Sequence, residues 1–294
     1  ISTKVLAQKE GVSIPFLVDF DTNTVQDSWL NGQAIDWIKK APNLSKFDAV
    51  ISDNLLEILK IRPDAWISGS FFWHASLKDF PYDLKQNSLD LLRKYKPKVI
   101  SSKMFTSDEL KNSTDLYEVG IYTNSNRNVT VDIDKKNDLL IACGKGGHVI
   151  DQARKFIKTF VLHKDIGFNK VWVEPDIIPE NAPDWMLPAN FSTEMYQSTL
   201  AALVRPGVGT ISNLIESGAR IFPFYETENK EMNFNASRIK LFGLGEHTSS
   251  IDDAWISAKN YRSNKKLQIQ QMNSVIKLDK DGANQAANII LKSL

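Results

Sequence analysis

A chain of 294 residues with 42% hydrophobic and 24% charged side chains has the balance of a folded globular protein and the length for two ordinary domains. Its 36 basic and 35 acidic residues leave a net charge of +1, which excludes the strongly basic surface of a general nucleic-acid binder. A single cysteine, Cys143, excludes an intrachain disulfide framework and fits a reducing cytoplasm, and no apolar run reaches the ~18 residues of a membrane span.

The sequence opens at Ile1 on a helical pattern, Ile1 to Glu10, ended by Gly11 as a C-cap ends a helix. A strand is therefore expected to precede the sequence given. Ile14 to Asp19 is an apolar strand that brings Asp19 and Asp21 to a carboxyl end, where sites collect in α/β sheets. Asp27 or Ser28 caps a helix carrying Trp29, Leu30, Ile35, Trp37 and Ile38. Asp48 to Asp53 is a second buried strand, followed by a helix through Leu55, Leu56 and Ile58. The strand Ala65 to Ser70 runs into Phe71-Phe72-Trp73-His74, with Phe71 and Phe72 as core. A histidine at a strand end suits a general base, and the plainer reading of His74 is a packed, hydrogen-bonded side chain.

Leu84 to Tyr95 reads as helix, and Val99 to Ser102 and Tyr117 to Tyr122 as strands. Arg93, Lys94, Lys96, Lys98 and Lys103 form a basic cluster, read as a solvated segment, with contact to a membrane surface as the alternative. The polar, asparagine-rich stretch from Thr123 to Asp138 marks the boundary between domains 1–134 and 135–294, with a short strand, Val129 to Ile133, inside it.

The second domain opens on a buried strand, Leu139 to Cys143, a flexible turn, Gly144 to His148, and a helix, Val149 to Leu162, with Ala153, Phe156, Ile157 and Phe160 on one face. Gly144, Gly146 and Gly147 let the backbone approach a ligand, and Lys145 or His148 would meet phosphate. The spacing is not that of a P-loop, and a mobile loop without a ligand is the alternative. Val171 to Val173 is a strand, Ile177 to Asn190 a proline-rich loop, and Glu194 to Thr199 a short helix capped by Ser192 or Thr193.

Most informative is Leu200 to Gly245. A buried parallel strand, Leu200 to Val204, is stopped by Arg205 and Pro206; Gly207, Val208, Gly209 and Thr210 turn into a helix with Ile211, Leu214 and Ile215 on one face; Ala219 to Phe224 is the next strand. This is a right-handed crossover whose glycine turn lies at the carboxyl end of the sheet. A helix starting Gly-x-Gly-Thr offers free amides, a hydroxyl and the positive end of its dipole, which attracts phosphate. Glycines that serve only close helix packing are the alternative. An acidic, amide-rich loop then leads to Asn235-Ala236 and Gly243-x-Gly245, and three helices follow, Asp252 to Asn260, Lys265 to Ile276 and Ala283 to Leu294.

Other chemistries find little footing. His74, His148, His163 and His247 are scattered without metal-ligand spacing, no Gly-x-Ser-x-Gly elbow occurs, and neither glycine turn is a Gly-x-Gly-x-x-Gly. No metal and no resident cofactor is expected; a phosphate-bearing ligand is.

Arg205-Pro206-Gly207-x-Gly209-Thr210, followed by Glu216, Gly218, Pro223-Phe224, Asn235-Ala236 and Gly243-x-Gly245, resembles the donor-binding half of the GT-B glycosyltransferases. The nearest likeness is to the branch containing the lipid-intermediate GlcNAc transferase of peptidoglycan synthesis. The resemblance implies an α/β protein of two Rossmann-like domains facing a cleft, the N-terminal one on the acceptor side and lacking its first strand in the sequence given, the C-terminal one holding a nucleotide-diphosphate sugar. It further implies transfer to the hydroxyl of a glycan, lipid-linked or small-molecule acceptor, with inversion and without a metal, in the cytoplasm or peripherally at a membrane. Gly207, Gly209 and Thr210 would hold the diphosphate and Arg205 add charge or pair with a carboxylate; Glu216 would contact the ribose and Glu231 the sugar hydroxyls. Glu231-Met232 stands where the family has Asp or Gln followed by Gln, which puts the usual donor sugar in question, since a methionine cannot donate a hydrogen bond. His74, Asp21 and Asp53 are candidates for the base, alongside a residue upstream of Ile1. A nucleotide-sugar hydrolase or 2-epimerase of the same fold, or a non-catalytic sugar-nucleotide-binding subunit, are the rival readings.

Overall fold

The computed structural model describes residues 41–294 apart from 42, 124–135, 145–146 and 163–165. The elements expected before residue 41, the strand Val129 to Ile133 and the domain boundary at residue 134 lie outside the described residues, as do Asp21 and Gly146. The described chain separates into two units, one of residues 41–101, 107–117 and 292–294, the other of residues 102–106 and 118–291.

In the first unit short strands alternate with helices: β1 (Ile51–Asp53), β2 (Trp66–Ser68), α1 (Trp73–Ser76), α2 (Tyr82–Tyr95), β3 (Lys98–Ser102), α3 (Asp108–Ser113) and β4 (Asp115–Val119). The sheet order is β1-β2-β3-β4, with β1 and β3 both parallel to β2. Leu59, Ile67, Phe72, Leu92, Val99 and Leu110 form its core. Lys96 ends α2 in a left-handed conformation (φ 42°), its N–H bonding Leu92 O, and Pro97 prevents the helix from continuing. Three expectations are corrected. The strand expected over Asp48 to Asp53 is β1 alone, and Ile51 on it is 57% exposed, so it is not buried throughout. The helix after it is a 3₁₀ turn, Leu56–Lys60. His74 lies on α1 rather than at a strand end, because Phe71 and Phe72 turn the chain and Phe72, not Phe71, fills the core.

The second unit contains β5 (Asp138–Ala142), α4 (Gly147–Phe160), β6 (Val171–Val173), β7 (Met186–Pro188), α5 (Thr193–Ser198), β8 (Thr199–Val204), α6 (Val208–Ser217), β9 (Arg220–Pro223), α7 (Lys230–Leu241), α8 (Ile251–Arg262), α9 (Lys265–Ile276) and α10 (Gly282–Leu291). All four strand pairings are parallel, in the order β7-β6-β5-β8-β9. Because strand side chains alternate between faces, Leu139, Ile141, Ala201, Leu203 and Phe222 pack against α4 and α8. Leu140, Ala142, Ala202, Val204 and Ile221 pack against α5, α6 and α7 on the opposite face. Both faces are covered, which is why these strands read as continuous apolar runs. Burying each of their larger aliphatic side chains contributes about 1.5–3 kcal/mol.

Two further expectations change here. The proline-rich stretch 177–190 contains β7, which edges the sheet by pairing with β6. The acidic loop expected before Asn235 is α7: Asn229 accepts a hydrogen bond from Met232 N–H at 3.2 Å as its N-cap, and Met232, Ala236 and Ile239 are buried at helical spacing. No helix among the described residues is long and apolar enough to cross a membrane.

Candidate functional site

Strand order locates the site within the second unit. From β5 the chain proceeds outward through β6 to β7, then returns to pair β8 on the other side of β5. The β5/β8 boundary is thus the point where winding reverses, and ligands of open α/β sheets bind outside the carboxyl ends of strands at that point. Two turns leave the sheet there, one opening at Cys143 and Gly144 after β5 and one over Arg205 to Gly207 after β8, with Arg205 N–H bonding Ala142 O at 3.0 Å.

The turn after β8 is built from the sequence Arg-Pro-Gly. Pro206 forces Arg205 to stay extended, and Gly207 N–H closes on Arg205 O at 2.8 Å. Buried Asn235, on α7, donates to Pro206 O at 2.9 Å, which gives the Asn235-Ala236 pair a role in holding this turn. Gly207 is then the N-cap of α6 without a side-chain acceptor, leaving the amides of Val208, Gly209 and Thr210 without intrahelical partners. A Cβ built on Gly207 or Gly209 would meet nothing within 4 Å, so packing requires neither glycine. By contrast, a Cβ on Gly245 would collide with the Ile221 carbonyl oxygen, and one on Gly282 with that of Gly120. The β8 turn is an open, uncapped, positive helix end.

Arg205 stands beside it, its Nε 3.3 Å from Glu226 Oε2, with both side chains 24% exposed. Glu231, in the first turn of α7, is half-buried; that burial pushes its carboxyl up to about 7, against the opposing charge of Arg205. Met232 is 2% exposed and packs with Tyr225 and Ala236, so it is a core residue and its apolarity needs no ligand to explain it.

The turn after β5 has the opposite character. Gly144 adopts φ +63°, a left-handed conformation that suits glycine. The N–H groups of Cys143 and Gly144 both donate to Glu174 Oε2, each at 2.7 Å. Glu174 follows β6, is held by its own N–H to Ile141 O at 2.9 Å, and precedes Pro175. Burial first, and the neighbouring Glu174 charge second, push the Cys143 thiol up to about 12, which fits its place in the core. Gly147 begins α4.

Glu216 falls in the last turn of α6, roughly 13 Å along the axis from Gly207, and its charge opposes the lowering of the Lys280 amine by burial. Asn213, one turn nearer the open end, lies with Nδ2 3.5 Å from the Tyr196 hydroxyl. Burial raises that phenol, Asn213 opposes the shift and Glu174 adds to it. Glu174, Tyr196 and Asn213, and Glu226 beside Arg205, escaped sequence reasoning because each meets its partner only through the fold; the one advance signal was a glutamate directly after the β6 run.

The first unit holds two of the base candidates. His74 Nε2 sits 2.8 Å from Glu109 Oε1, its side chain 2% exposed, stacked on Phe72 at 5.7 Å. Asp53 ends β1 at the surface, its carboxyl nonetheless raised by partial desolvation. Among the described residues no group of three or more His, Cys, Asp or Glu is placed to hold a metal ion.

No family model and no curated protein sequence matches the chain. Solved structures do. The glycotransferase of kitacinnamycin superposes with a TM-score of 0.62 at 11% identity, over 99% of this chain and 88% of that one. The spinosyn forosaminyltransferase SpnP gives 0.57 at 11% identity, over 98% and 88%. Arabidopsis thaliana UGT89C1, complexed with UDP-L-rhamnose, gives 0.56 at 10% identity, over 91% and 75%. At such identities the likeness is one of fold: parallel α/β units of the kind found in GT-B glycosyltransferases.

Proposed function

We propose that the protein is a glycosyltransferase that moves a sugar from a nucleotide-diphosphate sugar to an acceptor hydroxyl. The observation that carries this reading is the uncapped start of α6 at the β5/β8 reversal, with two glycines that packing does not demand. The amides of Val208, Gly209 and Thr210 receive the diphosphate, and Arg205, loosely held by Glu226, adds charge. The same amides stabilise the departing nucleotide diphosphate, so leaving-group departure in this reading calls on no metal; inversion at the anomeric carbon is what the resemblance over 200–245 implies. In this reading Asn213 and Glu231 take hydroxyls of the ligand, with Glu216 reached only by a ligand extended along α6.

Support for a nucleotide-sugar donor comes from the fold shared with UGT89C1, which was solved with UDP-L-rhamnose. The acceptor is a glycan, a lipid-linked molecule or a small molecule; the motif over 200–245 favours the lipid-intermediate branch and an N-acetylhexosaminyl donor, and the core position of Met232 leaves a hexosyl donor equally compatible. A cytoplasmic protein, touching a membrane peripherally through Lys94, Lys96 and Lys98, accords with that branch. The base is drawn from Asp53 or Asp21; His74 serves better as structure, its ring being enclosed and tied to Glu109.

The test is Gly209→Asp, which places a carboxylate in the open helix end where the backbone tolerates it. Calorimetry with UDP and dTDP is expected to show a loss of at least about 100-fold in affinity, or ~2.7 kcal/mol, with the far-UV spectrum unchanged. Unchanged affinity removes the cradle. Donor consumption is expected only with an added acceptor hydroxyl; rapid release of free sugar without one would turn the reading to a hydrolase.

A further inference from the structure

The two turns at the β5/β8 reversal both carry glycines, and among the described residues they differ in one respect: the first two amides after β5 already hold an anion. Successive N–H groups of Cys143 and Gly144 converge on a single carboxylate oxygen, Glu174 Oε2, at 2.7 Å each. This is the concave amide pair that binds anions when a turn enters the left-handed region, as Gly144 does at φ +63°. Glu174 does not reach it by chance. Its N–H is fixed to Ile141 O, its residue is extended (φ −52°, ψ 131°) ahead of Pro175, and it emerges from the strand next to the turn. The turn one strand further, at Gly207, has no such occupant, since α6 has no side-chain cap.

Building on the diphosphate reading of α6, we infer that Glu174 is a specificity-determining residue: a resident anion that closes the β5 turn to phosphate, confines the diphosphate to the α6 end, and leaves an uncharged, hydroxyl-bearing part of the ligand at the β5 turn. The consequence is electrostatic. A carboxylate about one strand spacing, ~5 Å, from the neighbouring turn repels any second anionic group placed between them. Tyr196, whose phenol burial raises and the Glu174 charge raises further, and Asn213, 3.5 Å from its hydroxyl, then offer hydrogen-bonding groups suited to sugar hydroxyls. A free pyrophosphate, with a charge at both ends, is penalised more by this arrangement than a nucleotide-diphosphate sugar, whose distal phosphate is esterified.

Glu174→Gln keeps the acceptor oxygen for both amides and removes the charge. Calorimetry of the full chain with inorganic pyrophosphate, and with UDP-glucose, is expected to show pyrophosphate binding about tenfold tighter in the variant and UDP-glucose less than threefold changed. The gain is expected to shrink as ionic strength rises from 0.02 to 0.5 M, roughly as the Debye length contracts; a purely structural role for Glu174 would show no such salt dependence. Equal or weaker pyrophosphate binding in Glu174→Gln overturns the inference, as does a gain indifferent to salt. Gly209→Asp separates this from the parent reading. If that variant abolishes pyrophosphate binding while Glu174→Gln changes nothing, only the role of Glu174 falls; if neither variant matters, the α6 cradle falls as well. Should Glu174→Gln unfold, Glu174→Asp, which keeps the charge but shortens its reach, is expected to retain weak pyrophosphate binding, and a tightened affinity there counts against the proposal.

Discussion

Single side chains in this protein divide by whether their polar atoms are answered within the fold. Glu231 is the case with a measurable pH signature. Its carboxyl titrates at 4.5 when unperturbed and near 7 in the folded chain, because burial disfavours the charge more than Arg205 restores it. The folded state therefore keeps a proton that the unfolded chain has released. The stabilisation is complete below pH ~4.5 and lost as pH rises through 7. Glu231→Gln is expected to match the wild type at pH 5 and to exceed it by about 1–3 kcal/mol at pH 8, read as a growing difference in the thermal midpoint of the second unit; a constant difference across that range would mean that Glu231 is solvated. His74 is the opposite case. Its 2.8 Å bond to Glu109 leaves Glu109 Oε2 buried and without a hydrogen bond, so the pair is already poorly supplied. His74→Ala strands the carboxylate entirely and is expected to cost about 3–5 kcal/mol, whereas the double variant His74→Phe with Glu109→Met is expected to cost less, as urea denaturation would show. The histidine's presence was plain in the sequence; that it is enclosed was not, because its partner comes 35 residues later on another helix.

At the level of elements, most of the βα units announced themselves through buried runs flanked by glycine and proline, and β6 and α9 match their expected limits. What escaped was decided by pairing or capping. β7 is three residues long and ends in Pro188, too short for any periodicity, and exists because β6 offers it an edge. α7 has apolar positions at helical spacing, but its asparagines and glutamates read as loop until Asn229 is seen capping it. The glycines make the same point, for sequence cannot tell one that packs from one that leaves room. Gly245→Ala is expected to destabilise the second unit by more than ~2 kcal/mol, since its methyl collides with the Ile221 carbonyl. Gly207→Asp is expected to be neutral or to stabilise α6 by a few tenths of a kcal/mol, because φ −72° suits any residue and the new carboxylate caps the free amides. That variant is also expected to lose UDP affinity by tenfold or more, for the same reason. Stability gained together with binding lost would identify the open helix end as functional; binding retained would show that the ligand lies elsewhere.

Over the whole chain, each unit buries its own core: Leu59, Ile67, Phe72, Leu92 and Val99 in the first, and both faces of a five-stranded sheet in the second. The second has a five-stranded sheet covered on both sides by helices; the described part of the first has a four-stranded sheet of three- to five-residue strands with a smaller core. Units with separate cores of unequal size are expected to unfold separately, so calorimetry should resolve two transitions, the lower belonging to the first unit. A ligand held entirely by the α6 end binds only the folded second unit, and at 100 times its dissociation constant it adds about 2.7 kcal/mol to that transition alone. UDP is therefore expected to raise the upper transition and leave the lower one in place. Lifting both by similar amounts would mean that the nucleotide is held by both units, and the account of the diphosphate resting on the amides of Val208, Gly209 and Thr210 would have to share its binding energy with residues of the first.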